Sequence, residues 1–427
     1  MMKIAVMSDF HLGVKSGTPR EGDSFDQAEE AIRRAIGAGA EIIVILGDIF
    51  DRSRPSLETW ARAMRIFSIP KIAGQSGVRL VETVDKPEDS ISPLAMQGVP
   101  VVAIFGNHER RARGEKNSVE ALEAAGKLIH LNASSATFEA DGRRITFHGL
   151  GYVPERDLPL TLKVWNPKPV EDSFNVLLLH QSIGDFVFSS EERPSLQLSD
   201  LPRGFDLYLN GHVHYRAEAR VHGKPLLLPG STERTQLSEI EATNPKGFYI
   251  VEIGESPSYR FIELESVRDF FYERITFNEA KPEDVYSRCR AKIRELLARH
   301  RKNTVKAPIL KIRLEGTLAN GVTKIDLDLM SIAEEFRDGG IIEISHERLL
   351  TKGLEERIAA LRSLRESGAS IEERGIHLLL EYAKQVPAAS KLDIRELFEL
   401  LAERKDEEEA MRRLEELIKT LSGGAAG

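Results

Sequence analysis

Short apolar, β-branched runs recur along the first half of this 427-residue chain, and each one stops at a polar cluster. IAVMS precedes Asp9, EIIVIL precedes Gly47, PVVAIF precedes Gly106, NVLLL precedes His180 and DLYLN precedes Gly211. Runs of this length and composition predict buried strands, with the polar clusters at their carboxyl ends. Ligands of open α/β sheets gather at that edge, so residues far apart in sequence are expected to meet there. The clusters are Asp9-Phe-His11, Gly47-Asp48 with Asp51, Gly106-Asn107-His108-Glu109, His180, and Gly211-His212-Val-His214. From Met1 to about Glu265, strands alternate with helices and then with hairpin-like segments around Thr146, Val221 and Leu227, a pattern that predicts an α/β fold built as a two-sheet sandwich.

The pattern then changes twice. A strand at FFYERITF, a helix from Pro282 to His300, and strands at APILKIRLEG and GIIEIS predict a small α+β domain over 266–346. Beyond a linker over 347–374, acidic and basic residues alternate through helical stretches that Pro387 separates. Ile376, Leu379, Leu380 and Ala383 share helical spacing, as do Ile394, Leu397, Phe398 and Leu401, and Met411, Leu414, Leu417, Ile418 and Leu421. A helical tail over 375–427 with that much apolar surface either folds back on the chain's own core or is covered by a partner. The stretch 69–100, with its GQSG and DKPEDS turn signals, has no function assigned to it.

The chemistry of the clusters is specific. Carboxylate oxygen, imidazole nitrogen and one carboxamide oxygen, with no thiolate, suit divalent ions such as Mn²⁺, Fe²⁺ or Zn²⁺. The donors suffice for two ions: Asp48 can bridge both, Asp9, His11 and His214 can complete one site, and Asn107, His180 and His212 the other. Two such ions about 3.5 to 4 Å apart polarise a phosphoryl oxygen, hold a hydroxide for in-line attack and neutralise the leaving oxygen. No side-chain nucleophile is required.

Composition limits the setting. Hydrophobic residues make up 41% of the chain, enough for a sizeable core, and Cys289 is the single cysteine, which excludes an internal disulfide framework and a cysteine-based metal site. With no signal-peptide pattern at MMKIAVMSDF and no apolar run of about 18 residues, the expectation is a soluble cytoplasmic protein without a membrane span. A net charge of −8 does not exclude a nucleic-acid substrate, because phosphate binding depends on local positive charge. Local clusters exist at Arg52 and Arg54 and at Arg110, Arg111, Arg113 and Lys116, with Lys15 nearby in the first motif. Each either tracks a phosphate backbone or is an ordinary solvated loop residue.

Taken together, the five motifs resemble the calcineurin-like metallophosphoesterase superfamily over about the first 265 residues. SDFHLG, GDIFDRSRPS, IFGNHER, LNGHVH, and LLLPGSTERTQLSEIEATNPKGFYIVEI are similar to the meiotic-recombination-eleven nuclease family, whose bacterial members are called SbcD. The resemblance implies a DNA double-strand-break repair nuclease using two Mn²⁺ ions, acting as an exonuclease on duplex ends and an endonuclease on single strands and hairpins. It implies that the domain over 266–346 caps and positions DNA, and that the tail binds an ABC-type coiled-coil ATPase of the SbcC type. It also implies a homodimer through the helix bearing Trp60, Met64 and Phe67 and the helix bearing Val119 and Leu122, although the same residues suit packing against the sheet. By the same resemblance His108 assists the leaving group beside the metals, the alternative being a role in orienting a ligand. Several members carry histidine where this chain has Asp51, and a carboxylate there suits orienting a ligand or a water. A phosphatase or cyclic-nucleotide phosphodiesterase would use the same metals, and a scaffold with weak catalysis is the non-enzymatic alternative.

Overall fold

The computed structural model describes residues 2–351 other than 75, 113, 190, 255 and 301–305, together with 370, 373, 375, 376 and 380. The linker and helical tail read from the sequence, apart from 347–351 and those five positions, lie outside the described residues. Two compact units divide the chain: Met1–Arg274 with Cys289–Arg313 and Met330–Ser345, and Ile275–Arg288 with Leu314–Leu329 and His346–Gly427.

In the first unit the strands are β1 (Met2–Met7), β2 (Ile42–Leu46), β3 (Arg79–Val84), β4 (Val101–Ile104), β5 (Ile129–His130), β6 (Ser134–Ala140), β7 (Arg143–Gly149), β8 (Phe174–His180), β9 (Leu207–Gly211), β10 (Ala217–Val221), β11 (Lys224–Leu228), β12 (Gly247–Ile253) and β13 (Ser258–Glu263). They form a six-stranded sheet, ordered β13-β12-β1-β2-β4-β5, and a seven-stranded sheet, ordered β10-β11-β9-β8-β7-β6-β3. The fold is therefore mixed α/β with two sheets face to face.

Side-chain alternation builds the layers. Ile4 and Val6, Ile42 and Val44, and Val102 and Ile104 from one sheet meet Val176 and Leu178 and Leu207 and Leu209 from the other, all fully buried. The intervening residues of the first sheet, including Ala5, Ile43, Ile45 and Ala103, pack instead on helices α1 (Asp23–Gly37), α2 (Leu57–Ile72) and α3 (Ser118–Ala124). Leu177, Leu179 and Tyr208 of the second sheet face a third cluster that includes Leu158 and Leu162 of α4 (Leu158–Trp165). Because both faces of the central strands are covered, these strands are apolar throughout instead of alternating with polar residues. Truncating any one of these interlayer side chains to alanine is expected to cost about 2–5 kcal/mol.

Ser56 starts α2 by accepting a hydrogen bond from the amide of Thr59 at 3.1 Å. On this helix Phe67 is fully buried, with Trp60 and Met64 packed beside it, and Val119 and Leu122 of α3 are buried in the same core. The outward apolar residues of α2 are Leu57 and Ile72. The unassigned stretch after α2 contributes β3, which pairs antiparallel with β6 as the edge of the second sheet.

A short helix, α5 (Glu239–Thr243), precedes β12, and residues 270–351 contain β14 (Phe270–Ala280), α6 (Pro282–Ala298), β15 (Ile309–Leu318), α7 (Leu329–Glu335) and β16 (Ile341–Thr351). The three strands form a separate sheet in the order β14-β15-β16, and each compact unit takes a stretch of each strand.

Parallel pairing is what creates the site. β1, β2 and β4 are parallel neighbours, and so are β8 and β9, so the motifs of each sheet leave at the same edge. The pairing continues past the strand ends: the amides of Asp9, His11 and Leu12 donate to the carbonyls of Gly47, Asp48 and Ile49 at 3.1, 2.9 and 2.8 Å.

Candidate metal centre

Asp9, His11, Asp48, Asn107, His180, His212 and His214 converge at this edge. Asp9, His11, Asp48 and His214 form one group with ligand atoms within 4.8 Å of one another, and Asp48, His180 and His212 form a second. Asp48 belongs to both. Its Oδ2 lies 3.8 Å from His11 Nε2 and 3.4 Å from His180 Nε2. Asn107 joins the second group, its Oδ1 standing 3.1 Å from His180 Nε2 and 3.0 Å from His212 Nδ1.

The backbone pays for this convergence with strain. Asp9, His11, Asp48 and His212 all adopt left-handed φ values, of 53°, 47°, 47° and 74°. Each such conformation costs on the order of 1–3 kcal/mol in a residue with a side chain and persists only where the surroundings enforce it. Two glycines make the room. A Cβ on Gly47, whose φ is +89°, would stand 2.5 Å from His180 Nδ1, and one on Gly106 would stand 2.0 Å from Asp48 Oδ1.

The electrostatics point to missing positive charge. Asp9 Oδ1 is buried without a hydrogen-bond partner, 4.0 Å from His11 Nε2 and 3.7 Å from His214 Nε2. Those two ring nitrogens face each other at 3.0 Å. Burial and the charge of Asp48 raise the Asp9 carboxyl above the usual carboxylate range. Burial opposes ionisation of Asp48 as well, but the charge of His180 and its hydrogen bond hold Asp48 well below that range. Burial likewise disfavours charge on His180, yet Asp48 outweighs it and pushes the imidazole up to about 9. Burial and the neighbouring His11 hold His214 well below the usual histidine value. A buried carboxylate oxygen with no donor, together with imidazole nitrogens aimed at one another, fits divalent cations. The cluster is able to hold two.

Several side chains beside the donors were given no role by the sequence, Glu109 among them although it closes the Gly106–Glu109 motif. Glu109, fully buried, accepts from the amides of Gly106 and Asp48 on Oε2 at 2.7 and 3.1 Å, and from the amide of Phe50 on Oε1 at 2.7 Å. It ties the loop after β4 to the loop after β2, and burial with the charge of Asp48 pushes its carboxyl up to about 7. Its position next to His108 was the available signal. Buried Lys246 donates to the His214 carbonyl at 2.8 Å, to Ser231 Oγ at 2.7 Å and to Glu241 Oε1 at 2.8 Å. The PGSTER and KGFYIVEI segments thus support His214 from beneath. Ser8 donates to Asp9 Oδ2, Thr235 Oγ1 lies 2.6 Å from His214 Nδ1, and Glu192 approaches His212 from a loop that carries no motif.

His108 is half-buried beside His11, with ring centroids 4.7 Å apart. Its amide donates to Asp48 Oδ1 at 3.0 Å, and its Nδ1 donates to the Asp51 carbonyl at 2.6 Å. The Asp51 carboxylate is turned to His11, with Oδ1 3.5 Å from Nδ1. Lys15, Arg52, Arg54 and Arg110 are exposed. Arg111 is engaged by Glu115 at 2.5 Å and Lys116 by Glu120 at 3.1 Å, while Arg113 lies outside the described residues.

Residues 2–216 match the calcineurin-like phosphoesterases, and the chain belongs to that family. Within it, the chain is similar to the DNA double-strand break repair protein Mre11 of Methanopyrus kandleri, at 30% identity over 294 residues that cover 63% of this chain and 58% of the relative. It is 29% identical to the double-strand break repair protein MRE11 of Encephalitozoon cuniculi, covering 77% of this chain and 56% of that one. For the Mre11 protein of Sulfolobus acidocaldarius the identity is 25%, with 82% and 86% covered. The chain thus spans less than two thirds of the length of the first two relatives. No helix among the described residues is long and apolar enough to cross a membrane.

Proposed function

We propose that this chain is a manganese-dependent DNA nuclease of double-strand-break repair, cutting duplex ends exonucleolytically and single strands and hairpins endonucleolytically. The observation that carries the reading is the convergence of seven donor residues in two groups sharing Asp48, with His108 beside them, in a chain similar to Mre11 proteins. Asp9, His11, Asp48 and His214 would hold one Mn²⁺, and Asp48, Asn107, His180 and His212 the other. Bound ions supply charge neutralisation at the phosphate and a nucleophile competent at neutral pH.

The remaining work falls to the chain's own groups. The hydrogen bond from His108 Nδ1 to the Asp51 carbonyl fixes the ring, so that in its doubly protonated form Nε2 delivers a proton to the departing sugar oxygen and is left as the neutral, Nδ1-protonated ring. Asp51 itself orients His11 through its carboxylate. Lys15, Arg52, Arg54 and Arg110 contact the phosphate backbone, which positions DNA without reading its sequence. Arg111 and Lys116 would have to leave their glutamate partners to join them, and Arg113 completes the predicted set.

The chain works with an ABC-type coiled-coil ATPase of the SbcC type, bound through the tail over 375–427, and the domain over 266–346 positions duplex DNA. The homodimer follows from the resemblance alone: Phe67, Val119 and Leu122 are buried in the chain's own core with Trp60 and Met64 packed against it, the alternative that the sequence left open for these helices. The deciding experiment is hydrolysis of a blunt duplex, a DNA hairpin and a p-nitrophenyl phosphodiester with Mn²⁺, Mg²⁺ or chelator. Manganese-dependent cutting of both DNAs supports the nuclease. Turnover of the small phosphodiester with no DNA cutting would instead support the phosphodiesterase alternative.

A further inference from the structure

Each of the four imidazoles in the donor cluster has its outward nitrogen beside a polar partner: a carbonyl, a hydroxyl or, for two of them, a carboxylate. His180 Nδ1 donates to the Leu46 carbonyl at 2.5 Å, His214 Nδ1 meets Thr235 Oγ1 at 2.6 Å, and His11 Nδ1 faces the Asp51 carboxylate at 3.5 Å. These three rings turn Nε2 inward. His212 is reversed: its Nδ1 faces Asn107 Oδ1 at 3.0 Å, and its Nε2 looks out to Glu192 Oε1 at 3.6 Å. A neutral imidazole that donates its lone pair through Nδ1 must carry its proton on Nε2, the less common requirement within this cluster.

Glu192 is placed to enforce it. Its other oxygen is pinned, accepting from the amide of Phe188 at 3.0 Å and from Ser182 Oγ. The Phe188 ring lies nearly parallel to that of His212, with an interplanar angle of 26° and centroids 5.5 Å apart. One loop therefore holds both the face and the outer nitrogen of His212.

We infer that Glu192 is the positioning residue of the Asn107, His180 and His212 site: its carboxylate keeps the His212 proton on Nε2, frees Nδ1 for a divalent cation and strengthens it as a donor. The inference rests on the reading of the cluster as a two-ion centre. Carboxylates behind ligand histidines typically contribute about 10–100-fold in metal affinity. Glu192 hydrogen-bonds to Ser182 and to the amide of Phe188 and faces His212, so its effect should fall mainly on the ion that His212 would hold, although the Phe188 ring also meets His214 edge-on with centroids 4.8 Å apart.

The test is Mn²⁺ titration of the full chain, followed by the electron paramagnetic resonance signal of free Mn²⁺, with Co²⁺ visible absorption as a readout of each site's ligand field. Glu192→Ala is expected to weaken one ion by about 10–100-fold, leave the other unchanged and alter one component of the Co²⁺ spectrum. Glu192→Gln, which keeps an acceptor oxygen but loses the charge, should give a smaller loss at the same site and guards against misfolding of the alanine variant. Unchanged affinities and spectrum in both variants, or equal weakening of both ions, would overturn the role of Glu192 while leaving the two-ion reading standing. Failure of the unaltered chain to bind Mn²⁺ would overturn both.

Discussion

Replacing Glu109 tests the link between the loops that carry Asp48 and Asn107. Its two oxygens serve three buried amides, those of Gly106, Asp48 and Phe50, and each amide left without an acceptor costs about 1–3 kcal/mol. Glu109→Ala abandons all three, so the local loss is about 3–9 kcal/mol, a large part of the roughly 5–15 kcal/mol that holds a domain folded. Glu109→Gln retains one carbonyl oxygen. Placed at the Oε2 position, that oxygen still serves Gly106 and Asp48, but the carboxamide nitrogen then opposes the Phe50 amide, donor against donor, for a loss of about 1–3 kcal/mol. Hydrogen exchange of metal-free protein, read on peptides spanning Leu46–Asp51 and Phe105–Glu109, localises the effect. Since 1.4 kcal/mol is about tenfold in an opening equilibrium, Glu109→Ala should speed exchange there by a hundredfold or more, and Glu109→Gln by about 5–150-fold. Exchange in Glu109→Ala within about threefold of the parent would refute the reasoning, because the three amides would then have found other acceptors at no cost.

Gly106→Ala places a methyl group 2.0 Å from Asp48 Oδ1 and 2.5 Å from its amide nitrogen, so the loop must move and Mn²⁺ affinity should fall by at least about tenfold, checked by metal titration. His130 is buried, and burial, with a smaller contribution from Lys86, pushes its imidazole down from 6.5 to about 4. Its folded-state value is below its unfolded one, so the unfolded chain takes up the proton first as pH falls. Stability is therefore lost between about pH 6.5 and pH 4, by up to about 3 kcal/mol, and His130→Leu should remove that slope from the pH dependence of urea unfolding.

The strands and the gathering of the motifs were legible because burial on both faces gives uninterrupted apolar runs, as at Ile42–Leu46 and at 176–179 within β8, and because the polar clusters follow them directly. Strand β3 was not legible: Arg79–Val84 is an edge strand with no fully buried residue, and Leu80 alone in it is named among the side chains packed on the core, too little to set an alternating pattern. Glu192 and Lys246 escaped for another reason. Their partners, His212 and His214, are 20 and 32 residues away, and contacts made across loops leave no local period. Glu109 lay within a motif already read, but its task of holding amides from a second loop exists only once the two parallel strands are paired. The pairing of Arg111 with Glu115 was readable from four-residue spacing, which suits the first turns of a helix as well as a loop.

The central claim is that this metal centre cuts DNA with His108 assisting the leaving group. Mn²⁺-dependent cleavage of a blunt duplex and a hairpin should be measured for the full chain and for His108→Ser, together with Mn²⁺ stoichiometry. Two ions bound by both proteins are expected, with cleavage at least about a hundredfold slower in the variant. Equal cleavage rates at equal metal content would contradict it.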